Sequence, residues 1–200
     1  MEIMKLSKIS LNRAVRILKN GGVVVCPTDT VYGFLADASN KKAVDKIFKI
    51  KKRPRSKPLP IFVKDLKMAK ELAEISEKQA KILQKFWPGK YTFILKSKIK
   101  NQNSKLKTKN KKLYGVAETT IAIRMPKYKF LNDLLKKADR PLVQTSVNIS
   151  GKEALIKIRE IIQQFKKDKR LSLIIDAGDL KEAKPSKIID LTTRHLTRLR

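Results

Sequence analysis

A single cysteine, a single histidine and a single tryptophan occur in 200 residues. One cysteine excludes an intrachain disulfide, and with a lone His195 and no clustered Cys and His no protein-bound zinc is expected. Cys26 lies in the apolar run Val23-Val24-Val25-Cys26, the setting of a buried, inert thiol rather than a nucleophile. Long hydrophobic stretches are missing too: none approaches the roughly 18 residues that a membrane-spanning helix needs. The opening residues, Met1-Glu2-Ile3-Met4-Lys5, lack the apolar core of a signal peptide, so a cytoplasmic location and no membrane partner are expected. No G-x-x-x-x-G-K-S/T stretch is present, which excludes a P-loop. Negative charge is scarce: 18 Asp and Glu stand against 48 Lys and Arg, and the formal charge of +30 exceeds what solubility requires.

Of the basic residues, 37 are lysines and 11 are arginines. Their field attracts polyanions. Most lysines nevertheless fall at polar positions of helical patterns, so nucleic-acid contact and plain solvated surface explain the charge equally well. A hydrophobic content of 42% over this length supplies one core, and a single domain over residues 1–200 is expected.

Hydrophobic period and punctuation set the order of elements. Ser10 can cap a helix carrying Ala14, Val15 and Leu18 that ends at Gly21-Gly22, and 23–26 then reads as a buried strand. Asn40 can cap a second helix, whose Ala43, Val44, Ile47 and Phe48 share one face, and Pro54 forces the chain out of helix. Residues 59–63 read as a strand, followed by helices over 65–75 and 77–86 and a stop at Trp87-Pro88-Gly89. Strands at 91–95 and 119–125 flank a Lys, Asn and Gln tract from 96 to 112, which cannot bury apolar surface and is expected to be a mobile loop. A helix at 130–138, a strand at 142–145, a helix at 153–165 and short strands at 171–176, 188–191 and 196–199 complete the chain. Alternating helices and strands, with strands crowded near both tails, give an α/β class with a mixed sheet.

Four segments carry chemistry. In Thr28-Asp29-Thr30-Val31-Tyr32-Gly33, extended geometry puts both threonine hydroxyls on one side and Asp29 on the other; a ligand-binding turn and a helix-capping turn are equally economical. In Lys51-Lys52-Arg53-Pro54-Arg55-Ser56-Lys57-Pro58, an Arg fork beside a Lys point charge suits a polyphosphate, and the alternative is a solvated basic loop. Ser146 and Asn148, in Thr145-Ser146-Val147-Asn148-Ile149-Ser150-Gly151, offer a hydroxyl and an amide at a strand end, where open α/β sheets place ligands, or else an Asn and Ser turn. Arg124, between apolar strand residues, needs an anion or an exposed strand end.

Taken in order, these segments resemble one family, the YrdC-type threonylcarbamoyl-AMP synthases, in a short single-domain form. The resemblance rests on residues 27–34, Lys51-x-Arg53 with Pro58-Leu59, Phe86-Trp87-Pro88-Gly89 with Thr92, Arg124-x-Pro126, Ser146-x-Asn148-x-Ser150-Gly151, and Pro185-Ser186 with Asp190. It runs from about residue 10 to residue 200, and six pieces in order are specific to the family.

That resemblance implies a YrdC-like twisted mixed sheet flanked by helices, with a concave basic surface. It implies an L-threonylcarbamoyladenylate synthase, a nucleotidyltransferase making threonylcarbamoyl-AMP and pyrophosphate from L-threonine, bicarbonate and ATP with Mg2+. A tRNA-threonylcarbamoyl transferase machinery would then modify an adenosine beside the anticodon. Thr30, Arg124, Ser146 and Ser186 would hold threonine, with Arg124 facing its carboxylate. Lys51, Arg53, Lys57, Thr120, Asn148 and Arg200 would surround ATP, with Lys51 and Arg53 as the catalytic cations. Metal ligands are not assigned, and the further C-terminal domain of longer members is not expected after Arg200. Three positions depart from the pattern and bear on amino-acid preference: Phe62 where longer members often carry a histidine, Lys187 where a threonine is usual, and Lys57 in place of a more neutral residue.

The chemistry needs no side-chain nucleophile. Threonine's amine and bicarbonate give a carbamate, whose oxygen attacks the α-phosphorus as pyrophosphate leaves; fixed cations and in-line positioning lower the barrier. The main alternative is a non-enzymatic double-stranded RNA or tRNA-binding protein using the same basic concavity. A single tryptophan argues against single-strand stacking. A related carbamoyl-transfer domain or an inactive paralogue is a third reading, against which Lys51-x-Arg53 and Ser146-x-Asn148 together favour the synthase.

Overall fold

The computed structural model describes residues 1–99, 112–183, 185–193 and 197–198. The first half of the chain runs β1 (Glu2–Lys5), α1 (Lys8–Lys19), β2 (Val24–Cys26), β3 (Gly33–Asp37), α2 (Lys41–Lys51), β4 (Ile61–Phe62), α3 (Leu66–Leu72) and α4 (Glu77–Phe86). The second runs β5 (Tyr91–Lys96), β6 (Thr120–Arg124), α5 (Lys129–Ala138), β7 (Leu142–Ser146), α6 (Ile158–Phe165), β8 (Leu173–Asp176), β9 (Lys187–Asp190) and β10 (Thr197–Arg198). All strands join one sheet in the order β1-β8-β2-β3-β7-β4-β6-β5-β9-β10. It is mixed, as its helix and strand order implies: β1 and β2 run parallel to β8, β4 to β6 and β5 to β9, and the remaining pairs are antiparallel.

Two apolar layers sandwich the sheet. Leu11, Ala14 and Leu18 of α1 and Leu131, Leu134 and Leu135 of α5 pack on Val24, Leu35, Phe62, Leu142 and Leu173. On the other face, Ala43, Val44 and Ile47 of α2 and Ile161 and Phe165 of α6 meet Val25, Phe34, Ile61, Phe93, Ile121, Ile123 and Val143. Phe34 and Phe165 meet edge to face at 5.2 Å, and truncating either to Ala would cost about 3–5 kcal/mol. Cys26 is fully buried, and desolvation pushes its thiol well above the ordinary range, which agrees with an inert packing role.

Several local expectations are corrected. The N-cap of α1 is Ser7, whose hydroxyl accepts Ser10 N–H at 3.1 Å while the Ser10 hydroxyl accepts Ser7 N–H at 3.0 Å; Ser10 is the third residue of a capping box. Strand β3 has no counterpart in the sequence reading, because all five of its residues are buried and show no alternation. Strand β1 was missed because its residues are mostly exposed. The helix expected at 153–165 starts only at Ile158, since Leu155 N–H donates to Val147 O at 2.8 Å and holds the preceding segment extended. Asn40 caps α2 as expected, accepting Ala43 N–H at 3.0 Å. The expected mobile loop at 96–112 falls largely outside the described residues, as do His195 and Arg200.

Candidate active site

Alternation along β5 and β6 leaves half of one sheet face open. Ile121 and Ile123 point with Phe93 and Leu95 into the core, so Thr120, Ala122 and Arg124 project on the opposite side. On that side α1 and α5 cover the sheet only as far as Phe62 and Leu142. Arg124 pairs with Phe62 and Ala122 with Ile94, which continues the floor outward from the covered half. The result is a cleft of about 290 Å³ whose lining includes Thr30, Arg53, Thr120, Arg124, Gln144, Thr145, Ser146 and Ser186.

Arg124 is 1% exposed and is held from three segments. Its Nη2 donates to Asp29 Oδ1, its Nε to Gly89 O at 3.0 Å and its Nη1 to Thr30 Oγ1 at 3.4 Å, above the Phe62 ring. The anion that a cation in an apolar strand demands is therefore Asp29, whose other oxygen accepts Lys127 N–H at 3.2 Å. Thr28 and Thr30 share a side, as their spacing requires: their hydroxyls lie 3.0 Å apart, and Thr28 donates to Val31 O at 2.7 Å. The pieces of the Trp87-Pro88-Gly89 stop serve the same residue. Gly89 must be glycine because a Cβ there would stand 2.5 Å from Phe86 O, while its own carbonyl receives Arg124. Gly89→Ala is expected to cost about 1–3 kcal/mol by forcing that backbone apart, read as a lowered thermal midpoint.

Lys51 is also buried, at 1% exposure. Its ammonium donates to Ser146 O, to Asn148 O at 3.0 Å and to Asn148 Oδ1, so it ties the end of α2 to the segment after β7. Asn148 Oδ1 also accepts the Ser146 hydroxyl at 2.9 Å, and its amide nitrogen donates to Lys152 O. Asn148 and Lys51 thus stand behind Ser146 and outside the cleft lining, whereas Ser146 faces the cleft. Burial, reinforced by the Arg53 cation, pulls the Lys51 ammonium down to about 7. Between pH 7 and the ordinary lysine value of 10.5, the unfolded chain keeps a proton that folded Lys51 has released. Stability therefore rises with pH across that window, and this contribution is lost as pH falls back through it. Denaturant midpoints of wild type and Lys51→Met at pH 7 and pH 9.5 should diverge accordingly.

Arg53 lines the cleft and is steadied by the loop it belongs to, donating Nε to Lys57 O at 2.8 Å and Nη2 to Pro58 O at 3.0 Å. Lys57 is exposed and outside the lining. Thr120 and Ser186 reach the cleft from β6 and from the residues before β9, and the Ser186 hydroxyl lies 3.0 Å from that of Thr92. Lys187 points its ammonium over the Tyr91 ring at 5.5 Å, and Phe62 forms the shelf under Arg124. The sequence reading passed over Asp29 as ion partner and Gln144 altogether; only alternation with Ser146 along β7 marked Gln144 as facing the cleft.

Comparison with known proteins follows the same lines. The Sua5/YciO/YrdC family model, described as telomere recombination, matches residues 16–200. A Methanocaldococcus jannaschii protein provisionally named threonylcarbamoyl-AMP synthase is 36% identical over 194 residues, covering 95% of this chain and 86% of its own length. Pyrococcus abyssi Sua5, solved in complex with L-threonine, superposes with a TM-score of 0.84 at 29% identity and covers all of this chain, which spans 56% of the Sua5 chain. YciO of E. coli superposes with a TM-score of 0.82 at 27% identity, over the whole of this chain and 92% of that one. With the six expected motifs distributed over this sheet and a family model spanning nearly its full length, the chain belongs to the Sua5/YciO/YrdC family.

Proposed function

We propose that this protein is an L-threonylcarbamoyladenylate synthase, acting as one domain over residues 1–200. The observation that carries this reading is that Thr30, Arg124, Ser146 and Ser186, drawn from four separate segments, line one cleft together with Arg53 and Thr120. The threonine-bound Sua5 structure and the synthase names among the relatives support it.

In this reading threonine's carboxylate lies against Arg124, oriented by the Thr30 and Ser146 hydroxyls. The amine takes up bicarbonate to give a carbamate, losing water. One carbamate oxygen then attacks the α-phosphorus, and the α-to-β bridging oxygen leaves with pyrophosphate. Arg53 and Thr120, across the floor from Ser146, face the phosphates and stabilise their charge. Lys51 acts as a positioning residue, through its hydrogen bonds to the Ser146 to Asn148 segment. Magnesium would enter with ATP and be held by its phosphates, since among the described residues no carboxylate lines the cleft to hold it. The adenylate is a mixed anhydride, so its consumer is a transferase that delivers the threonylcarbamoyl group to tRNA in the cytoplasm. Among the described residues no helix is long and apolar enough to cross a membrane.

Pyrophosphate release from ATP and bicarbonate, with L-threonine, L-serine, glycine or no amino acid and mass spectrometry of the adenylate, tests the proposal. Release that requires threonine and bicarbonate is expected. A folded protein that releases none, while binding duplex RNA with a steep salt dependence, would replace the synthase by the RNA-binding reading. Arg53→Ala is expected to keep the fold, since Arg53 lies on an open loop, and to lower adenylate formation by about 10- to 1,000-fold. An unchanged rate would remove Arg53 from the chemistry.

A further inference from the structure

We propose that Gln144 reads the side-chain hydroxyl of the amino-acid substrate, an inference that rests on the synthase reading above. Gln144 is 9% exposed and lines the cleft, yet its side-chain amide makes no hydrogen bond to any described residue. Buried amides are almost always paired. No fully enclosed side-chain nitrogen or oxygen among the described residues lacks a partner, so this amide opens onto the cleft, where a ligand can complete it.

Its position selects which part of the ligand it meets. Backbone pairing sets Gln144 two residues from Ser146 on the same side of β7, and its N–H is spent on Pro60 O at 2.9 Å. The side chain leans over Gly33: a Cβ there would lie 3.4 Å from Gln144 Nε2 and 3.5 Å from Thr28 Cγ2. The amide therefore lies over Gly33 beside Thr28, on the strand next to β7, and faces the cleft that Thr30 and Arg124 also line. Threonine has three polar groups. Arg124 takes the carboxylate, and the amine must face the phosphates because it becomes the attacking carbamate. The hydroxyl remains, directed to the Gln144 end. An amide both donates and accepts, as a hydroxyl does, and a buried amide is left unpaired by a methyl in its place.

The test compares threonine, valine and serine in pyrophosphate release by wild type and Gln144→Met, a near-isosteric change without hydrogen-bonding groups. The threonine-to-valine ratio of kcat/KM is expected to fall about 10- to 100-fold, through a raised threonine KM, with ATP KM unchanged. The threonine-to-serine ratio should hold, since both carry the hydroxyl; a merely structural role would lower all rates together. An unchanged threonine-to-valine ratio in an active, folded variant overturns the assignment while leaving the synthase intact. Wild type without amino-acid-dependent release overturns the synthase reading itself. Should Gln144→Met not fold, Gln144→Asn withdraws the same amide by one methylene, and the same ratio decides.

Discussion

Arg124→Met should abolish threonine-dependent pyrophosphate release and destabilise the fold by about 3–5 kcal/mol, the penalty for leaving one member of a buried ion pair alone. The side chains of Arg124 and Asp29 are 1% and 6% exposed, so solvent cannot take over the role of either. The loss also orphans Gly89 O and loosens Thr30, which together frame the threonine end of the cleft. The two consequences can be separated. Asp29→Asn with Arg124→Met removes the stranded charge and should regain most of the stability, measured by chemical denaturation, yet no activity, because the cation for the substrate carboxylate is still missing. Recovery of activity in the double variant would show that Arg124 matters only to the fold.

Lys51→Met is the second large effect. Three oxygens, Ser146 O, Asn148 O and Asn148 Oδ1, lose a donor inside the protein. Asn148 Oδ1 keeps the Ser146 hydroxyl, and each of the two carbonyls left without this donor costs about 1–3 kcal/mol, so a loss of roughly 2–4 kcal/mol is expected after partial relaxation. Catalytically, the Asn148 amide that orients the Ser146 hydroxyl loses its anchor to α2, and kcat/KM should drop about 100-fold or more. The threonine KM should rise more than the ATP KM, since Ser146 belongs to the threonine end. Lys51→Arg should not rescue either effect, because a planar guanidinium cannot replace a compact ammonium in an enclosed site that already packs on Phe34 at 5.9 Å. Equal effects on both KM values would instead place Lys51 at the phosphates.

Much of the fold was legible. Helices α2, α4 and α5 carry clear one-sided apolar spacing, and their bounds lie within one residue or two of the sequence reading. Elements without periodicity were not legible: β3 is buried on both faces and β1 is an edge with little buried surface. The site divides the same way. Thr30, Arg124, Ser146 and Ser186 were marked by their motifs, and all four reach the cleft. Lys51 and Asn148 were marked as well, but not their direction, since both turn toward each other rather than toward the open floor.

The sequence by itself determined the local outcomes, those that depend on neighbours a few residues apart: which side chains share a helix or strand face, where Asn40 caps α2, and that its single cysteine cannot form an intrachain disulfide. Tertiary structure alone decided the pairings. Asp29 and Arg124 are 95 residues apart, and Lys51 and Asn148 are 97, and nothing in either segment states the other's charge or reach. Such choices follow from the order of strands in the sheet. Setting β4 between β7 and β6, with the cover of α1 and α5 stopping at Phe62, is what makes an open floor and aims one arginine at it.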